Sequence, residues 1–176
     1  MKESVFQGEL KRTMNNYGVW GAKFPDGIKT AQTRFIPEKP SDFIFVRKGV
    51  PFLVECKMIK KIGRINYKFF GSTKEKTEGI PFHEFRQVKE MDKFRIMNDC
   101  PAFYAINVRV ERKYNVLIFF ELSEALHIFR QKDYISREEL LEHMELGIRG
   151  YKGMFRGEQF ENFLSYVGAL KNNLIF

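Results

Sequence analysis

The chain has little of what metal clusters and disulfide frameworks are made from. Two cysteines, Cys56 and Cys100, stand alone in 176 residues without metal spacing, so a zinc ribbon and a stapled secreted scaffold are both excluded. They read as buried thiols in a reducing compartment. The three histidines, His83, His127 and His143, are scattered and give no zinc site. No apolar run approaches the roughly 18 residues that span a bilayer, and the opening MKESVFQGELKR has no signal-peptide core. These absences lead us to expect a cytoplasmic protein without a membrane partner. The glycine-rich stretch 147–157, GIRGYKGMFRG, lacks the G-x-G-x-x-G spacing and a preceding strand, which excludes a dinucleotide fingerprint. Acidic residues are also in the minority. Against 22 Asp and Glu stand 30 Lys and Arg, a formal charge of +8 that attracts polyanions, nucleic acid above all.

What is plentiful is phenylalanine, 19 residues of it, enough for a Phe-rich core in one domain over 1–176. The most informative stretch is Pro40 to Lys57, PSDFIFVRKGVPFLVECK. Its two β-branched and aromatic runs, Asp42 to Val46 and Pro51 to Lys57, flank a Gly-containing turn, the signal of a hairpin. Folding about Lys48-Gly49 sets Asp42 opposite Glu55, Ile44 opposite Leu53 and Val46 opposite Pro51. Alternation puts Lys57 on the face of Glu55, and Phe43, Phe45, Phe52, Val54 and Cys56 on the other. Two carboxylates and an ammonium thus meet on one face. Carboxylates that close repel unless compensated. A surface salt bridge from Lys57 is one way to compensate them. A hard cation is the other: Mg²⁺ takes one or two carboxylates plus water and phosphate oxygens, and can activate a water against a phosphodiester.

The segment resembles the PD-(D/E)XK nuclease superfamily, with Pro40-Ser41-Asp42 as its P-D element carrying one inserted residue and Glu55-Cys56-Lys57 as its E-X-K. From about Gly8 to Phe94 the order of parts is similar to Holliday junction resolvases of the Hjc and RecU kind: acidic helix, Ser/Thr-bearing loop, D…E-x-K hairpin, helix. The resemblance implies a mixed α/β fold, a central mixed sheet flanked by helices in a restriction-endonuclease-like core. It implies a Mg²⁺-dependent endonuclease, with Mn²⁺ able to substitute, cutting four-way DNA junctions as a homodimer. Asp42, Glu55 and the Cys56 carbonyl would hold the metal, and Lys57 would assist the water. Glu9 would be the helix carboxylate, with Glu3 as the alternative; Thr33 would sit by the scissile phosphate and Gln87 would help position the water. A restriction-like or repair endonuclease on duplex or flap DNA, and a non-catalytic branched-DNA binder, are the competing readings.

The remaining chain follows from pattern. Residues 2–17 read as a helix with Phe6, Leu10, Met14 and Tyr17 on one stripe and Gly18 as its cap. Val19 to Lys23 reads as a strand with Trp20 packed inward. The loop from Ile28 to Lys39 offers Lys29, Thr33 and Arg34 to phosphates. An insert at about 60–79 reads as a basic projection, with Lys60, Lys61, Arg64 and Lys68 for DNA contact and Tyr67, Phe69 and Phe70 for stacking on unpaired bases. A helix from Phe82 to Met97 and strands Ala102 to Val110 and Asn115 to Glu121 complete a sheet of four or five strands. Beyond about residue 123 a helical extension is expected: a helix from Ser123 to Gln131, a capping box at Ser136, then a Gly-rich loop and a last helix from Glu158 to Leu170. The last helix would cover the core or form a subunit contact.

Overall fold

The computed structural model describes residues 2–25, 39–71, 79–110 and 113–172. Helix α1 (Glu3–Asn16) forms on the stripe Phe6, Leu10 and Met14, each fully buried. It closes at Gly18 (φ +70°), where the amide of Val19 bonds back to the carbonyl of Met14. Strands β1 (Trp20–Lys23), β2 (Phe43–Arg47) and β3 (Val50–Ile59) then pair antiparallel. The β2–β3 turn is Lys48-Gly49 with φ of +49° and +80°, both left-handed, as a two-residue hairpin requires. Its register sets Ile44 against Leu53 and Val46 against Pro51, as the sequence predicts.

From β3 the chain passes through the short strand β4 (Ile65–Asn66) and a 3-10 turn at Tyr67–Phe70. A second 3-10 turn, Phe82–Glu84, leads into helix α2 (Arg86–Asn98), which delivers β5 (Ala102–Val110) parallel to β3. Strand β6 (Tyr114–Glu121) returns antiparallel to β5. Then come α3 (Leu122–Gln131), β7 (Tyr134–Ile135), α4 (Arg137–Glu145), the hairpin β8 (Ile148–Tyr151) and β9 (Met154–Phe155), and α5 (Glu158–Asn172). The main sheet runs β1-β2-β3-β5-β6-β8-β9, and β4 pairs with β7 apart from it. This is a mixed α/β fold with helices on both faces of a mixed sheet. One face packs Phe43, Phe45, Phe52, Val54, Cys56 and Phe103 under α1 and α5. The other packs Leu53, Tyr104 and Ile106 under α2, α3 and α4.

Several expectations need correction. Trp20 does not pack inward: it is 63% exposed, because β1 is an edge strand and Trp20 shares a face with half-buried Val46. The helix expected from Phe82 is interrupted, since Phe85 (ψ 129°) is extended between the 3-10 turn and α2. The sheet has seven strands instead of four or five, because the Gly-rich stretch after α4 folds as the β8–β9 hairpin. The C-terminal third is therefore a helix-and-strand addition to the sheet, and α5 covers the core with Phe160, Leu164 and Val167. The aromatics of the insert also turn inward. Phe70 is fully buried and Tyr67 stacks on Phe85, so these rings are core instead of stacking platforms. The rest of that insert, 72–78, lies outside the described residues.

Candidate active site at the open end of strand β3

Strand β2 starts at Phe43, but β3 continues to Ile59, so past Val54 the backbone of β3 loses its β2 partner. Side chains take over where the ladder stops. The amide of Cys56 donates to Oδ2 of Asp42 at 3.0 Å, and Glu3 lies near the Met58 backbone. The N–H and C=O of a strand residue point the same way, so the Cys56 carbonyl faces this open edge too. Unpaired peptide groups at a buried edge need partners, and the Asp42 carboxylate supplies one here.

Asp42 and Glu55 are 4% and 3% exposed, and each has an ammonium at hand. Lys39 Nζ lies 2.9 Å from Oδ1 of Asp42, and Lys57 Nζ lies 2.9 Å from Oε1 of Glu55. Lys57 also donates, at 3.4 Å, to Oε1 of Gln87 on the first turn of α2. Burial dominates the titration of Glu55: desolvation lifts its pKa to about 7, with the Asp42 charge adding to the rise and Lys57 opposing it. Its second oxygen, Oε2, is buried with no hydrogen-bond partner among the described residues. Glu3, on the rim, is pushed up by desolvation as well, while the Lys57 ammonium holds it down. The hydrogen-bonded pairs Asp42–Lys39 and Glu55–Lys57–Gln87 therefore face one open strand end, with Glu3 within electrostatic reach of Asp42, Lys57 and Lys39.

No family model and no curated protein matches the chain. Among solved structures it is similar to that of Archaeoglobus fulgidus Hjc, described as a Holliday junction resolvase from an archaeal hyperthermophile. That chain is 13% identical, the match covers 83% of this chain and 94% of the other, and the TM-score is 0.49.

Of the residues singled out from sequence, Asp42, Glu55, Lys57, Gln87 and the Cys56 backbone are brought together. Glu9 is not. It is held by Arg109 of β5, 3.1 Å from Oε2 to Nη1, with Arg12 and the β8–β9 turn at Gly153 beside it. Arg109 alternates with Phe103 and Ala105, so this pair belongs to the α1 face, whereas Glu55 projects from the opposite face with Leu53. Only the N-terminal turn of α1 reaches round the open edge, which is why Glu3 meets the cluster and Glu9 cannot. Glu9→Gln is expected to cost about 3 kcal/mol, because it removes the charge of one partner from an ion pair only 16% and 7% exposed. Thermal melts check this; an unchanged melting temperature would contradict a structural role for the pair.

Lys60, Lys61, Arg64 and Lys68 are all exposed on the segment that follows β3, with the Arg64 guanidinium 4.8 Å over the Tyr134 ring. Lys29, Thr33 and Arg34 lie outside the described residues. One residue at the cluster was missed. Lys39 stands three positions before Asp42, a spacing with no distinctive pattern in a loop.

Proposed function

We propose that the chain is a metal-dependent DNA endonuclease acting on branched DNA, four-way junctions in the first place. The observation that carries the proposal is the meeting of Asp42, Glu55 and Lys57 at the open end of β3. The donors present suit a hard cation: two carboxylates, one with an unpartnered buried oxygen, and a peptide carbonyl at the same edge. Among the described residues no three His, Cys, Asp or Glu side chains are gathered into a cage, so water and phosphate oxygens would complete the shell, as Mg²⁺ prefers. Asp42, Glu55 and the Cys56 carbonyl would hold Mg²⁺ or Mn²⁺, which when bound supplies an activated water and a clamp on a phosphate oxygen.

The protein groups contribute position and charge. Lys57, steadied by Glu55 and Gln87, presents an ammonium that orients the attacking water or takes up negative charge growing on the phosphorus. Glu3, reaching round from α1, is the third carboxylate of the proposal in the place first expected of Glu9. Phosphate contacts from Lys60, Lys61, Arg64 and Lys68, and from Lys29, Thr33 and Arg34, would hold the duplex by its backbone without reading sequence. The four-way junction enters through the motif order that resembles the resolvases, and two symmetric cuts call for a two-fold homodimer.

Incubation of the protein with Mg²⁺ and synthetic four-way junction, flap and linear duplex tests this. Paired cuts in the junction, at rates well above those on the other two, are expected. Equal cutting of all three would leave an endonuclease on duplex or flap DNA. Binding without metal-stimulated cleavage would leave a branched-DNA-binding protein.

A further inference from the structure

The outward face of the β8–β9 hairpin is absorbed neither by the active site nor by the core. Its inward residues Ile148 and Phe155 pack under α1, with the Phe155 ring edge-on to Phe6. Gly150 is required there, since a Cβ would fall 2.2 Å from the Asn115 amide of β6. The register Tyr151↔Met154 then directs Arg149, Tyr151, Met154 and Arg156 outward together, and Arg156 folds back to place Nη2 3.6 Å from the Met154 sulfur. At the turn, Lys152 (φ +47°) stands over the Tyr151 ring, 5.3 Å from its centre. Continued by one step, the register sets Arg149 directly across from Arg156. Like charges facing each other across a hairpin destabilise it. None of Arg149, Lys152 and Arg156 forms an ion pair among the described residues, although all three are exposed.

Three uncompensated cations on a framework held firmly to the sheet form a preset anion-binding face. The Asn16 amide, 2.8 Å from the Met154 sulfur, ties Met154 to the far end of α1, about 20 Å along the helix from Glu3 of the β3 cluster. The turn at Gly153 lies nearer, beside Glu9 and Arg12, about 9 Å along the helix from Glu3. That spacing suits the backbone of the same DNA about three to six base pairs from the point of cleavage, at roughly 3.4 Å per step.

We propose that the outward face of the β8–β9 hairpin is a second DNA-backbone contact, in which Arg149, Lys152 and Arg156 bind phosphates remote from the point of cleavage. The proposal rests on the nuclease reading only in taking DNA as the polyanion. The test measures the salt dependence of binding to a four-way junction and to duplex DNA by fluorescence anisotropy, in the Asp42→Asn background so that no cutting intervenes. Arg149→Ala with Arg156→Ala is expected to reduce the slope of log K against log salt by about 2, since each lost phosphate contact removes about 0.9. Arg130→Ala with Arg137→Ala, on α3 and α4, removes the same charge elsewhere and is expected to leave the slope as it was. An unchanged slope in the hairpin variant, or an equal fall in both, overturns the proposal. Circular dichroism melts verify that the hairpin variant is folded; should it melt early, Lys152→Ala, at a solvent-facing turn position, gives the same reading with a fall of about 1. Wild-type protein that fails to cut while the hairpin still sets the slope would remove the nuclease reading and keep this one.

Discussion

Glu55→Gln is expected to give a protein that no longer cuts DNA and yet melts at a higher temperature than the parent at pH 8. The two effects have one origin. Burial raises the Glu55 pKa from 4.5 to about 7, so the folded state holds its proton more tightly than the unfolded chain does. The sign follows from linkage. Stability from this group is fully present below about pH 4.5, falls as the pH rises, and is lost above about pH 7, where the carboxylate is charged in both states. A tenfold change in proton affinity is worth about 1.4 kcal/mol, so the penalty at pH 8 is at most about 3.5 kcal/mol, and a neutral amide of the same shape avoids it. Melts of parent and variant should therefore coincide near pH 4.5 and separate progressively up to pH 7, with the variant higher. Cleavage should move the other way. Loss of one of the two carboxylates proposed to hold the metal is expected to cost roughly 10³-fold or more in rate, about 4 kcal/mol of transition-state stabilisation. Asp42→Asn should lose activity to a similar degree while still binding junctions. A Glu55→Gln protein that cuts at near-parental rate would remove Glu55 from the chemistry, and one that melts lower at pH 8 would refute the cost of its charge.

The second large effect is expected at Phe70→Ala, at a position that reads from sequence as part of a DNA-contacting projection. The Phe70 ring is fully buried and meets those of Phe69, Phe82, Tyr104 and Phe129 at centroid distances of 4.9–6.1 Å. Its backbone carbonyl accepts the buried Tyr104 hydroxyl at 3.2 Å. Truncation leaves a cavity among rings that cannot collapse far, so a loss of about 3–5 kcal/mol is expected. For a chain of this size that corresponds to a fall of roughly 10 °C or more in melting temperature. Below the transition, DNA affinity should hold. Lys68→Ala, two residues away and exposed, should do the reverse, leaving stability within about 0.5 kcal/mol and lowering the salt slope by about 1. Weakened DNA binding without destabilisation in Phe70→Ala would restore the stacking role.

The insert shows where pattern reading fails. Tyr67, Phe69 and Phe70 sit among lysines with poor alternation, which locally looks like an exposed segment. The β4–β7 pairing and the aromatic neighbours that draw them inward lie more than fifty residues away for Ile135 and Phe129. Trp20 fails for the converse reason. Its apolar character predicts burial, but whether an edge strand is covered depends on what lies beside it in space. The Gly-rich stretch before α5 has only short runs between glycines, and its hairpin register is visible once β6 has provided an edge to extend. Where the information is local, the reading holds. The capping box at Ser136 is present, its hydroxyl accepting from the Glu139 amide and the Glu139 carboxylate from the Ser136 amide.

The residues alone determined the hairpin, its register, and hence that Glu55 and Lys57 share one face. A two-residue turn and strict alternation leave no other arrangement once the apolar face is buried. They also settled the basic character and the Phe-rich interior. Only the tertiary structure decided which helix carboxylate reaches the cluster, because α1 and Glu55 lie on opposite faces of the sheet and contact runs round an edge whose position depends on where β2 begins. It alone also revealed Lys39 against Asp42 and the cation-lined hairpin set against the middle and far end of α1. These depend on distances between segments far apart in the chain, which no local periodicity encodes.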